Sequence, residues 1–415
     1  MSQRPETGRD VVMFEPDLTE TTTVSRVVEF VQSGFIPTVF GFRRARYNQS
    51  HVASWHEIDL GQTRDGKYWR RLRALARAVP TIFRKRRYLR ANCVLYARNL
   101  DQLCLGLFAQ ALFNPRAILV YEVVDIQPSF TTRGLLGMAL RMIERMCLRR
   151  IDLLIVSSPA FQQHYFSAIQ RYRGEWLLVE NKLRLATPIS KSKHRQERRP
   201  SHPPRGRWII GYFGLIRGQA TLDLMVRLAK SLPDKIEFRF RGVVTTVDHA
   251  WFRSAVARIE NIHYDGEYNN PEDLAALYES VDFAWALDLE DIACNSRWLL
   301  PCRFYEAGFF GVPCLAVRGF EVGQLIDRLG VGWTFGEPLE ESLNSFFQAL
   351  DPISYEERCR RLQACPVETF AVGKGDSDLC RKLEQLAGKV PYRTPHLISG
   401  KPAENQRLTR PLKVD

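Results

Sequence analysis

The chain contains no Cys-x-x-Cys pair and no His-Glu-x-x-His, so a zinc centre built on either spacing has no support. A disulfide framework is missing too. The nine cysteines (93, 104, 147, 294, 302, 314, 359, 365 and 380) are odd in number, widely spread and mostly set in apolar runs, which reads as reduced core residues of a cytosolic protein. No long hydrophobic run occurs: the longest largely apolar stretch, Leu103 to Phe113, is too short to span a bilayer. The first ten residues lack the apolar core of a secretory signal. The expectation is a soluble, cytoplasmic chain that can still sit on a membrane. No Gly-x-Gly-x-x-Gly follows the first strand-like segment, where Asp17-Leu-Thr-Glu stands, which argues against a dinucleotide-dependent oxidoreductase.

What is there is ordinary globular stock: 415 residues, 45% hydrophobic and 25% charged, enough for two or three domains with cores of their own. The net charge of +13 is uneven. Residues 1–190 carry 28 Lys and Arg against 16 Asp and Glu, residues 191–207 carry 7 against 1, and residues 208–415 carry 24 against 29. A basic first half joined to a mildly acidic second half suggests that one domain faces an anionic partner. The densest basic part is 67–90. There Tyr68, Leu72, Leu75, Val79, Ile82 and Phe83 follow helical spacing, interrupted by Pro80, and the other face is almost entirely Arg and Lys. Two readings stand: a core-facing helix with a solvated basic surface, or an interfacial element against anionic headgroups. A nucleic-acid-binding role is the weaker third, because no RRM or zinc-finger signature accompanies the charge.

Short apolar strands alternate with helices in both halves. Residues 11–14, 36–41, 93–97, 117–124, 151–156 and 176–180 read as strands, with helices over 19–34 and 134–150. In the first helix Val24, Val27, Val28 and Val31 fall on one face. The basic, Pro-rich stretch 190–207 reads as a linker. Beyond it the alternation restarts, with strands at 208–214, 236–242, 281–287 and 312–317 and helices at 222–231, 273–280 and 303–311. The division expected is a first α/β domain over 1–189, a second over 208–370, a helix at 371–390 crossing back to the first domain, and a disordered tail at 391–415. Two such α/β units, each a parallel sheet covered on both faces, imply a cleft where ligands meet the carboxyl ends of the strands.

Two stretches of the second half carry chemistry. Phe213-Gly-Leu-Ile-Arg217-Gly218 follows a strand and precedes a helix: Gly214 lets backbone approach a ligand, the helix start offers free N–H groups, and Arg217 adds charge for a phosphate. In Asn295-Ser-Arg-Trp-Leu-Leu-Pro301-Cys-Arg303-Phe-Tyr-Glu306-Ala-Gly308-Phe-Phe-Gly311-Val-Pro313, Arg303 and Glu306 share one face at a helix start. Spacing alone makes that a solvent-exposed ion pair. Asp125, after an apolar strand, reads equally as a helix cap or turn acid.

The pattern Pro-x-Arg-x-x-Glu-x-x-x-x-Gly-x-Pro resembles the donor-site segment of glycosyltransferase-4-like GT-B glycosyltransferases. Phe213-Gly-Leu-Ile-Arg217, the run from Asn261 through Gly266 and Tyr278 to Asp282, Asp125-Ile-Gln-Pro128 and Asn181 fit the same family, and Phe14-Glu-Pro-Asp17 with Gly41-Phe-Arg43-Arg44 resembles its succinoglycan-type exopolysaccharide members. The resemblance implies two Rossmann-like domains facing each other across a cleft. It implies Gly214, Arg217 and Arg303 at a donor diphosphate, Glu306 at the ribose or base side, and Asp125, then Asp17, as the acid facing the acceptor hydroxyl. A Glu that many members place eight residues before the helix Glu is replaced by Trp298. No convincing Asp-x-Asp donor motif is present, Asp288-Leu-Glu-Asp291 reading as a loop acid cluster, and no metal or other cofactor is expected. The partners implied are a nucleotide-sugar donor, UDP-linked by this reading, a lipid-diphosphate-linked acceptor, and an anionic membrane met through 67–90 on the inner face of the plasma membrane. A nucleotide-sugar epimerase on the same architecture is the alternative enzyme.

Overall fold

The computed structural model describes residues 9–44, 53–63, 68–91, 94–185 and 206–388. Cys93, most of the 190–207 linker and the 391–415 tail lie outside them. Fully apolar strands can only persist where both sheet faces are covered, and the chain answers this twice. The first sheet has seven parallel strands: β1 (Arg9–Glu15), β2 (Phe35–Arg43), β3 (His56–Gln62), β4 (Val94–Arg98), β5 (Ile118–Val123), β6 (Leu153–Val156) and β7 (Trp176–Leu178), in the order β3-β2-β1-β4-β5-β6-β7. Helix α1 (Thr21–Gln32) covers one face through Val27 and Phe30. Helices α2 (Tyr68–Arg84), α3 (Arg86–Ala91), α4 (Asn99–Phe113) and α5 (Leu135–Leu148) cover the other, through Ala78, Ile82, Leu89, Leu103 and Leu148.

The chain then crosses through β8 (Leu183–Arg184) into a second parallel sheet. Strands β9 (Trp208–Ile216), β10 (Ile236–Val244), β11 (Ile262–Tyr264), β12 (Phe283–Trp285), β13 (Cys314–Val317) and β14 (Gly332–Phe335) run in the order β11-β10-β9-β12-β13-β14. Its helices are α6 (Gln219–Ser231), α7 (His249–Arg258), α8 (Leu274–Glu279), α9 (Asn295–Trp298), α10 (Cys302–Phe309), α11 (Glu321–Leu329), α12 (Leu339–Ala349) and α13 (Pro352–Ala364). Strand order reverses beside β1 in the first sheet and beside β9 in the second, and such switch points open a crevice at the strands' carboxyl ends. Last, β15 (Ala371–Val372) pairs with β8, and α14 (Asp378–Gly388) returns to the first domain, where Leu379, Cys380 and Leu383 join Val11, Met13 and Phe30.

Two local expectations need correction. Helix α2 runs unbroken through Pro80, which lies on the exposed side, where the carbonyl it leaves without a donor can meet water. Only part of the expected apolar face packs inward: Ile82 is buried, while Leu72 and Phe83 are exposed. Helix α1 is also rotated from its valine stripe. Val31 is exposed, whereas Arg26 and Glu29 are buried.

The rotation of α1 follows from charge. Burying an ion is tolerated only with partners at hand, and Arg26 reaches both Glu29 and Glu122, while Arg98 Nη2 meets Glu122 Oε2 at 2.8 Å. Glu29 also accepts from Arg184 Nε of β8 at 2.7 Å and from Ser377 Oγ, just before α14, at 2.6 Å. Burial, the largest influence on Glu29, pushes its carboxyl up, but Arg184, Arg26 and Ser377 outweigh it and hold it at about 2. Glu15 lies beside Arg98 and Thr23, yet burial dominates and lifts it to about 7. Among the described residues no helix is long and apolar enough to cross a membrane.

Candidate active site

The carboxyl ends of both sheets face one cleft of about 690 Å³. On the second-domain wall, β9 carries Gly214 near its carboxyl end with φ +106°, and β10 carries Gly242 with φ +131°. A Cβ on Gly242 would come within 1.9 Å of the Gly214 carbonyl oxygen, so only glycine allows these strand ends to converge. Both line the cleft, leaving main chain bare toward a ligand.

Three side chains complete this wall. Arg217 donates through Nη2 (2.7 Å) and Nε (3.1 Å) to Asp288 Oδ2, with Glu290 3.3 Å from Nε. Asp288 is therefore an ion-pair partner inside the cleft, not the solvated loop acid expected from the sequence. Arg303, at the start of α10, sits 4.1 Å over the Tyr212 ring and donates to the carbonyls of Trp285 (3.1 Å) and Leu215 (3.5 Å). It is as much a fastening between strand ends as a free cation. One turn on, Glu306 is only 8% exposed and accepts from Tyr278 Oη (2.9 Å) and Asn270 Nδ2 (3.4 Å). Burial raises its carboxyl above the ordinary range, and the Tyr278 bond, the Arg303 charge and the Asn270 bond oppose that only in part. Arg303 and Glu306 thus do not form the exposed pair that spacing alone suggests.

The first-domain wall brings Asp125, from the loop after β5, together with Glu20, Thr21 and Thr22 at the start of α1. Asn295 of α9 reaches across the domains to hold this loop: its Nδ2 donates to Asp125 Oδ1 at 3.0 Å and its Oδ1 accepts from Ile126 N at 3.0 Å. Asp17 is placed differently. It is buried, accepts from Thr19 N (3.0 Å) and Thr19 Oγ1 (2.9 Å), and does not border the cleft. Glu20, which the sequence reading passed over in its run of threonines, borders it instead. Burial raises its carboxyl; Arg98 and Arg44 pull it down, while Asp125 pushes it up.

Trp298 turns away from the cleft. Its ring stacks on His164 at 5.8 Å in a second hollow between the domains, and Leu299 takes the cleft-facing position. Residue 298 therefore could not serve a donor sugar in this conformation. Among the described residues no group of three or more His, Cys, Asp or Glu is placed to hold a metal ion.

Paired Rossmann-like domains, with strand-end glycines and basic side chains on one wall and a carboxylate on the other, define the class: a GT-B glycosyltransferase. Solved structures share the fold. Sucrose-phosphate synthase from Thermosynechococcus elongatus superposes with a TM-score of 0.68 over 92% of this chain and 98% of its own, at 13% identity. Anabaena HepE in complex with UDP-glucose gives 0.63 over 90% and 99%, at 14% identity. The succinoglycan biosynthesis protein ExoL of Rhizobium meliloti (strain 1021) is 30% identical over 388 residues, covering 93% of this chain and 96% of ExoL. The chain belongs to the ExoL family. No protein-family model matches it.

Proposed function

We propose that the chain transfers a sugar from a UDP-linked donor to a lipid-diphosphate-linked saccharide in exopolysaccharide assembly. The observation that carries this is convergence: Gly214, Arg217, Arg303 and Glu306, from four points along one domain, share a cleft with Asp125 of the other. The HepE complexes with UDP and UDP-glucose support the donor, and the ExoL relationship supports the polymer. Main chain at Gly214 and Gly242, with the start of α6 beyond, receives the diphosphate, and Arg217 and Arg303 balance its charge as it leaves. Glu306 accepts from the ribose hydroxyls. Under this proposal the helix start and the two guanidiniums stabilise the leaving group without a metal.

Asp125 meets the acceptor hydroxyl. For an inverting course it takes the hydroxyl proton as the acceptor oxygen bonds to the anomeric carbon and the bond to the diphosphate breaks. For a retaining course it orients the acceptor. The basic outer surface of α2 and α3 draws the enzyme to an anionic membrane where such acceptors reside. The test is a thermal-shift screen of UDP-, GDP- and dTDP-sugars on wild type, followed by turnover of the stabilising donor by Asp125→Asn. A UDP-sugar shift with turnover reduced by about 100-fold or more supports the reading. No shift with any of them refutes the donor assignment, and undiminished Asp125→Asn turnover refutes the acceptor-side one. Release of a free epimer without acceptor would make it an epimerase.

A further inference from the structure

Helix α5 is built with its apolar side outward. Its one carboxylate, Glu144, is buried and accepts from Tyr121 Oη at 2.7 Å, from Tyr165 Oη and from Gln170 Nε2. Leu135, Leu136, Met138, Met142, Ile143 and Met146 face solvent, Leu135 by 85% and Met142 and Met146 by 60% each. Of 14 large apolar residues exposed among those described, these six lie on one helix, so they form a patch and not a scatter. At about 100° per residue, Leu135, Met138, Met142 and Met146 fall on one stripe, with Leu136 and Ile143 along its edge.

Charge says what covers it. Arg133, Arg145, Arg149 and Arg150 surround the stripe, all exposed, and α5 offers no exposed carboxylate among them. The same sheet face carries α2 and α3, with Arg73, Arg77, Arg84, Arg86 and Arg87 exposed. A second copy docking across a twofold axis would set this arginine belt against itself. Anionic lipid neutralises the belt while taking up the thioether and leucyl side chains.

We propose that α5 lies in the interfacial plane of an anionic membrane, its Leu135–Met138–Met142–Met146 stripe among the upper acyl chains and its arginines on the headgroups. Residues 124–134 lead from Asp125 directly into this helix. A docked α5 therefore holds the acceptor wall close to the lipid surface. That orientation rests on the acceptor reading above, whereas the membrane contact does not.

The experiment is flotation of the full-length protein with phosphatidylcholine vesicles, with and without phosphatidylglycerol. It compares wild type, Met138→Ser/Met142→Ser/Met146→Ser, and the matching triple leucine variant. Wild type and the leucine variant should float with the phosphatidylglycerol vesicles, and the serine variant should partition at least about tenfold more weakly. All three should keep the same melting temperature and the same shift with UDP, since the stripe is remote from the donor wall. Three results overturn the proposal: no flotation of wild type, undiminished flotation of the serine variant, or a wild-type dimer, seen by sedimentation velocity without lipid binding, that the serine substitutions dissolve. Absence of the UDP shift in wild type would refute the donor site and leave the flotation result to stand alone.

Discussion

Replacing Glu306 by glutamine exchanges one carboxylate oxygen for an amide at almost constant volume, in a place where the structure separates scaffolding from recognition. Tyr278 Oη, 2.9 Å away, needs an acceptor because it is fully buried, and the glutamine oxygen still supplies one. What is lost is the negative charge that, under the proposed function, Glu306 offers to the ribose hydroxyls. Hydrogen bonds to charged groups contribute about 1.5–3 kcal/mol, so UDP affinity should fall by about 10- to 150-fold with little change in melting temperature. Glu306→Ala differs: it leaves the Tyr278 hydroxyl without an acceptor, costing about 1–3 kcal/mol of stability as well. Isothermal titration with UDP, read beside thermal melts of both variants, tests the pair. Protonation of wild type should mimic glutamine. Because burial raises the Glu306 carboxyl, UDP affinity should begin to fall, as pH is lowered, before an ordinary carboxylate would titrate. Wild-type UDP affinity in Glu306→Gln would refute the assignment, since nothing else about the substitution compensates for a missing charge.

Asn295→Ala releases the Asp125 loop from the second domain; turnover should drop about tenfold or more while UDP titration is unchanged, and equal turnover would deny the clamp. Gly242→Ala puts a methyl into the Gly214 carbonyl at a φ of +131°, so soluble yield or melting temperature should fall sharply, and a wild-type melt would contradict the strand-end geometry. Glu29, held at about 2 against an ordinary 4.5, contributes stability that is complete above 4.5 and lost as pH falls toward 2. That loss approaches about 3 kcal/mol and should shrink in Glu29→Gln, as denaturant melts at stepped pH would show. Turnover should survive a chelator at full rate, and loss restored by a divalent ion would end the metal-independent proposal.

The two-sheet plan was legible because buried parallel strands write themselves as apolar runs of fixed length, and turn residues punctuate them. That Gly214, Arg217, Arg303 and Glu306 would share one wall was legible from the family pattern they resemble, because they sit at fixed offsets from strand ends and a helix start. What distance in sequence hides stayed hidden. The Asn295 clamp joins residues 170 positions apart, and Asp288 meets Arg217 from 71 away. Asp17 and Glu20 are three apart in one acid-and-threonine turn, and only the direction of that turn decides which faces the cleft. Valines at helical spacing misdirected α1 because pattern reading assigns ions to the outside, while Glu122 and Arg98 drew Arg26 inward. In α5 the same habit hid a helix whose acid is inside and whose methionines are out.

Glu29 joins the lobes at both passages of the chain, gripping the outgoing strand through Arg184 and the returning segment through Ser377. Any rocking of one lobe over the other must bend around that knot or tear it. The hinge between the lobes is thus soldered to α1, whose leading end borders the cleft beside Asp125, so a shift of the lobes is felt at that wall.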